Sequence, residues 1–198
     1  MTNNRLQQQF DFIKEIDKEK LIKRQTLLTD GITHENDAEH AWHMAIMTLL
    51  LSEYSNEKID TLKTISMLLI HDLVEIYAGD TYAYDEVSKL DQRERELMAA
   101  DKIFGMLPGD QGSKFRELWD EFEEGDTPEA KFARSMDRIQ PMMLNDATEG
   151  KMWMEHGVRL SQVMKRNEKI ELGSKELWDY ARETFILPNV EMGKIKKN

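Results

Sequence analysis

Apolar residues recur at intervals of three and four along almost the whole chain, as in Leu6, Phe10, Ile13 and Leu21, a spacing that lines up one stripe of a helix. Runs of Val, Ile or Thr alternating with polar residues, the mark of strands, are missing, and only four prolines interrupt 198 residues. The chain is therefore expected to be all-α. Its length suits one sizeable domain, and no repeat, low-complexity tract or long linker divides it, so residues 1–198 read as a single unit.

The spacing predicts a first helix from about Arg5 to Arg24, closed by "TDGITHEND". A second runs from about Asp37 to Tyr54, with Asn36 or Asp37 as cap and Glu39 placed to complete a capping box. A third covers about Glu57 to Tyr77. Both are apolar around most of their circumference (Ala41, Met44, Ile46, Met47, Leu49, Leu50; Ile65, Met67, Leu68, Leu69, Ile70), which predicts central helices with neighbours on several sides. After the loop "AGDTYAYD", helices are expected at about Ser88–Met106 and Phe115–Glu123. Another opens at Thr127-Pro128 and reaches Asn145, and two more lie near Val158–Asn167 and from Gly173 to near Pro188.

Composition narrows the chemistry. There are no cysteines, which excludes disulfides, thiolate catalysis and Cys-ligated zinc or iron–sulfur centres. A formal net charge of −11 repels polyanions, so neither a nucleic-acid polymer nor an anionic membrane is an expected partner. No apolar run approaches the roughly 20 residues of a membrane span. The opening "MTNNRLQQQF" has no apolar core of a secretory signal, and a cytoplasmic protein is expected.

Within the third helix, "LIHDLVE" sets His71, Asp72 and Glu75 in an otherwise apolar segment. His40 lies in the second helix, and Asp137 lies in "FARSMDRIQPMML". Buried imidazoles and carboxylates cost several kcal/mol each without partners, and one divalent cation held by His40, His71, Asp72 and Asp137 would satisfy all four. Mixed imidazole and carboxylate ligation suits Mn, Co, Mg, Fe, Ni or Zn. Glu75, four residues after His71 and three after Asp72, shares their helical face and is placed as a general base or water-orienting group. Pro141 removes the hydrogen bond to the Asp137 carbonyl, and a kink is expected there.

"ENDAEHAWHMA", then "HDLVE", "GD" and "MDRIQP" in that order, resemble the HD-domain metal-dependent phosphohydrolase superfamily, in particular its 5′-deoxynucleotidase-like branch. The resemblance spans roughly Lys20 to Asn167. It implies a compact multi-helix bundle around one divalent metal, often in a homodimer, with His40, His71, Asp72 and Asp137 as ligands. It further implies Glu75 as the catalytic glutamate, Asp80 as its supporting aspartate and Arg24 as the substrate-binding arginine. Gln25 stands where the bacterial enzyme carries a tryptophan that helps to separate deoxyribose from ribose.

The expected activity is hydrolysis of a small phosphorylated substrate, a (deoxy)nucleoside 5′-monophosphate, to nucleoside and phosphate. A phosphodiesterase with the same ligands and an inactive nucleotide-binding regulator are the alternatives.

Overall fold

The computed structural model describes residues 4–79 and 91–197. Helix α1 (Asn4–Glu15) passes into a 3₁₀ turn (Ile16–Leu21), and a short antiparallel ribbon comes after it, β1 (Lys23–Leu27) with β2 (His34–Asn36). Next come α2 (Asp37–Leu51), a 3₁₀ turn (Ser52–Tyr54) and α3 (Thr61–Ile70), which gives way at His71–Val74 to another 3₁₀ turn and then to α4 (Glu75–Ala78). The chain continues through α5 (Gln92–Phe104), α6 (Gly109–Glu124), α7 (Pro128–Ala147), α8 (Lys151–Glu155), α9 (Leu160–Asn167), α10 (Ile170–Gly173) and α11 (Lys175–Ala181). A π turn (Arg182–Ile186) leads to α12 (Leu187–Glu191). No helix among the described residues is long and apolar enough to cross a membrane.

The architecture is the expected all-α bundle, and the extent of its first helix is corrected. Residues 23–27 and 34–36 pair as strands where the first helix was expected to reach Arg24. That helix ends at Glu15. The third predicted helix is likewise cut into α3, a 3₁₀ turn and α4, and the break falls on His71–Val74. Helix α7, by contrast, runs through Pro141 without interruption. The start expected for the next helix at Ser88, and most of the loop "AGDTYAYD" before it, lie outside the described residues.

Local signals worked where they were strongest. Asn36 Oδ1 accepts from the Glu39 N–H at 3.0 Å while Glu39 Oε2 accepts from the Asn36 N–H at 3.0 Å, the reciprocal box expected at the start of α2. Thr127 Oγ1 caps α7, with Pro128 at its first position.

Helix α7 is the axis of the bundle. Its buried face (Phe132, Ala133, Met136, Ile139) joins Met44, Met47, Met67 and Leu68 from α2 and α3 in the larger core, whereas Ile70, Leu73, Val74, Ile103, Phe104 and Trp119 build a second one. Gly173 of α10 lies flush on α7: a Cβ there would stand 2.4 Å from the Lys131 carbonyl oxygen and 2.4 Å from Ser135 Oγ.

Helices α2 and α3 pack side by side with their buried faces towards α7. Their opposite faces stay bare, with Trp42, Ile46, Leu49 and Leu50 exposed on α2 and Leu62 and Leu69 on α3. The expectation of neighbours on several sides is corrected here: among the described residues nothing covers the outer stripe.

Candidate metal centre

His71 closes α3, and the switch to 3₁₀ geometry sets the orientation of the next four residues. With three residues per turn, positions i and i+3 eclipse, so Asp72 and Glu75 stand one above the other. The second imidazole, His40, faces them from the first turn of α2, and Asp137 approaches from the middle of α7. His40, His71 and Asp72 each offer a ligand atom within 4.8 Å of the others. Asp137 Oδ1 lies 3.2 Å from His40 Nε2 and 3.9 Å from His71 Nε2, while Asp72 Oδ1 lies 3.0 Å from His71 Nε2. Residues as far apart in sequence as His40 and Asp137 thus converge on one point.

His40 is fully buried. Its Nδ1 lies 2.9 Å from Gln140 Oε1, which can only accept, so Nδ1 carries the proton. Burial first, then the nearby Arg24 guanidinium, holds the ring's pKa down to about 4 against the pull of Asp137. A neutral ring protonated on Nδ1 has a bare lone pair on Nε2, and that lone pair faces the Asp137 carboxylate. Nothing among the described residues reconciles two such acceptors.

His71 shows a parallel arrangement. Its Nδ1 donates to the Leu68 carbonyl at 3.0 Å, while its buried Nε2, turned towards two carboxylates, makes no well-aligned hydrogen bond. Burial pushes this ring's pKa down, but Asp72 and Asp137 outweigh burial and raise it. Burial also works against the charge on Asp137 and Asp72. The histidines hold Asp137 well below the ordinary carboxylate range, and His71 and Arg24 do the same for Asp72. Two ring nitrogens and two carboxylates gathered round an unsatisfied point are a donor set that fits a divalent cation, with each imidazole pinned through its other nitrogen.

Arg24, on β1, enters the same centre. Its Nη1 donates to Asp37 Oδ1 at 3.1 Å and to Asp72 Oδ2 at 2.9 Å, and its Nε stands 3.7 Å from Glu35 Oε2. From sequence Arg24 is a substrate contact only; the structure adds an anchor on Asp72.

Three acids of the centre gave no signal in the sequence. Glu35 and Asp37 are almost fully buried beside Arg24, and Glu19, in the turn after α1, is buried near Asp72 and Asp37. Burial lifts Glu19 to about 7 and Glu35 to about 7. A strand-like placement would have exposed the pattern, since Glu35 and Asp37 flank Asn36 in an extended entry to α2. In sequence they read as a polar loop. His34 Nδ1 contacts the Arg24 carbonyl at 2.8 Å, and His43 Nδ1 lies 3.2 Å from Gln140 Nε2. Asp80 lies outside the described residues.

An HD domain model matches residues 16–178 of this sequence. The chain belongs to the HD domain family. A crystal structure from Magnetospirillum magnetotacticum, described as a predicted metal-dependent phosphohydrolase, is 48% identical and superposes over 97% of this chain and 96% of that one with a TM-score of 0.92. The 5′-deoxynucleotidase HDDC2 of Dictyostelium discoideum is 30% identical over 139 residues, 67% of this chain and 73% of that protein. Its human namesake is 28% identical over 109 residues, and there this HD chain spans 52% of the relative's length. The helical bundle is thus that of an HD protein.

Proposed function

We propose that this HD domain, acting as a single unit over residues 1–198, is a metal-dependent phosphomonoesterase that hydrolyses a (deoxy)nucleoside 5′-monophosphate to nucleoside and phosphate. The observation that carries the reading is the lone pair of His40 Nε2 set against the Asp137 carboxylate, 3.2 Å away, with His71 and Asp72 closing the same point. His40, His71, Asp72 and Asp137 would hold the ion. A divalent ion so placed supplies Lewis-acid polarisation of the phosphoryl group and makes water acidic enough to attack at neutral pH.

The chain's own groups do the rest. Glu75, stacked over Asp72, takes the proton from the attacking water. Arg24, its Nη1 fixed by Asp37 and Asp72, offers Nη2 to the charge that develops on the phosphoryl oxygens. Asp80 assists at the sugar side. The relatives named 5′-deoxynucleotidase support the substrate class. Gln25 in place of the family tryptophan supports acceptance of ribonucleotides beside deoxyribonucleotides.

The test is phosphate release from a panel of deoxy- and ribonucleoside 5′-monophosphates and cyclic nucleotides by Mn²⁺- or Co²⁺-loaded protein, with metal content measured on the same sample. Turnover of 5′-monophosphates is expected, with a single ion per chain that His71→Ala loses. Turnover confined to cyclic nucleotides, or none with the metal bound, overturns the reading.

We also infer a homodimer, closed over the bare α2–α3 face. The six exposed apolar side chains there offer on the order of 600 Å² of uncharged area, near the roughly 800 Å² per partner of a standard interface. In a molecule of net charge −11, it is where two copies meet with least repulsion. Light scattering on the eluted peak should give about twice 23.3 kDa, falling to the single-chain mass in Leu49→Glu/Leu50→Glu. A wild type of single-chain mass refutes the dimer.

A further inference from the structure

Gln140 is buried one turn beyond Asp137 on α7, and every hydrogen-bonding group of its amide is committed. Oε1 accepts from His40 Nδ1 at 2.9 Å. Nε2 donates to Glu35 Oε1 and lies 3.2 Å from His43 Nδ1, which accepts its second proton. Turning the amide over would set its carbonyl against the Glu35 carboxylate and an imidazole lone pair, so the surroundings allow one orientation. Glu35 also stands 3.6 Å from His40 Nδ1 through Oε2 and 3.7 Å from Arg24 Nε. A buried chain thus runs Glu35–Gln140–His40, and its far end is the nitrogen turned towards Asp137.

We infer that Gln140, held by Glu35, is the positioning residue that keeps the His40 proton on Nδ1 and so leaves Nε2 bare for a divalent cation. The inference deepens the metal reading above and rests on it. The physical reason is a competition between two acceptors for one proton. Gln140 Oε1 draws it to Nδ1; Asp137 Oδ1, at 3.2 Å, draws it to Nε2. A proton on Nε2 would occupy the position the ion needs, and uptake would first have to move it to Nδ1. Gln140 shifts the balance before the ion arrives. Partners of ligating imidazoles act in this way and are worth roughly 10–100-fold in metal affinity. The same chain ties the centre to the junction of β2 with α2, because Glu35 lies on β2 and its neighbour Asn36 caps the helix that carries His40.

The experiment compares wild type with Gln140→Met, which keeps the length of the side chain and loses the acceptor. Two readouts are needed: the imidazole tautomer of His40 in metal-free protein, from long-range ¹H–¹⁵N correlation, and the Mn²⁺ affinity by titration. Wild type is expected with His40 protonated on Nδ1. In Q140M the proton moves to Nε2 and the Mn²⁺ affinity falls by roughly 10–100-fold. An unchanged tautomer with an affinity within about twofold of wild type overturns the inference. Should Q140M not fold, Glu35→Gln and Glu35→Leu test the chain one link back. E35Q keeps an acceptor for Gln140 and is expected to retain the wild-type tautomer, whereas E35L loses it; identical tautomers in both overturn the inference. If wild type binds no metal, the function proposed above fails, and the tautomer comparison still decides the role of Gln140.

Discussion

Glu75→Gln is expected to lower kcat by roughly 10²–10⁴-fold while the protein keeps its metal. Gln has nearly the size of Glu and can still hydrogen-bond a water, but it cannot accept that water's proton. The carboxylate's position comes from the 3₁₀ turn His71–Val74, which eclipses residues three apart and so sets Glu75 over Asp72. Loss of activity with metal retained therefore separates Glu75 from the ligands, since His71→Ala should lose both. Turnover and metal content of the two variants, measured side by side, check it. Wild-type kcat in E75Q would remove Glu75 from the chemistry.

Arg24→Met is expected to cost about 3–5 kcal/mol of stability in the metal-free protein as well as most of its activity. The guanidinium lies among Asp37, Asp72 and Glu35, all buried, and its removal leaves their charges without a counterion. The pH dependence has a definite sign. In wild type, Asp72 and Asp137 are held below the ordinary carboxylate range. Their contribution is therefore present above about pH 4 and is lost as the pH falls through their folded-state values. Burial raises Glu35 to about 7 even with Arg24 pulling it down, and Glu19 also stands at about 7. Without Arg24 the neighbouring carboxylates rise too. An acid raised in the folded state costs stability as the pH climbs above its unfolded value of about 4.3, so the deficit of the variant should deepen from about pH 5 to about pH 8. Urea unfolding at the two pH values measures it. Equal stability of variant and wild type at the higher pH would mean that the acids are compensated elsewhere.

The parts of this molecule that were legible in sequence are those governed by local chemistry. The capping box at Asn36 and Glu39 and the Thr127-Pro128 start of α7 involve residues within one turn of each other, and both stand as expected. The four candidate ligands were legible for a different reason: each is an ionisable residue in an apolar helix, and the structure brings them together. The β1–β2 ribbon was not legible, because its five- and three-residue strands are stabilised by pairing across a turn and carry no alternation of their own. The break of α3 at His71 was hidden because Leu73 and Val74 continue the apolar pattern into the second core. The buried acids were missed for the same non-local reason. Glu19 and Glu35 look like solvent-facing charges until the fold lays them beside Arg24 and Asp72.

The fit of α10 on α7 carries a last implication. Because Gly173 leaves no gap for even a methyl group beside Lys131 and Ser135, the longest helix is seated from a spot within two turns of Asp137 and on the opposite side of α7 from it. Any side chain at 173 would behave as a wedge, lifting α7 and drawing the aspartate corner out of line while every ion-facing group kept its identity. Loss of function from a change there would then be a matter of alignment, with no chemistry removed.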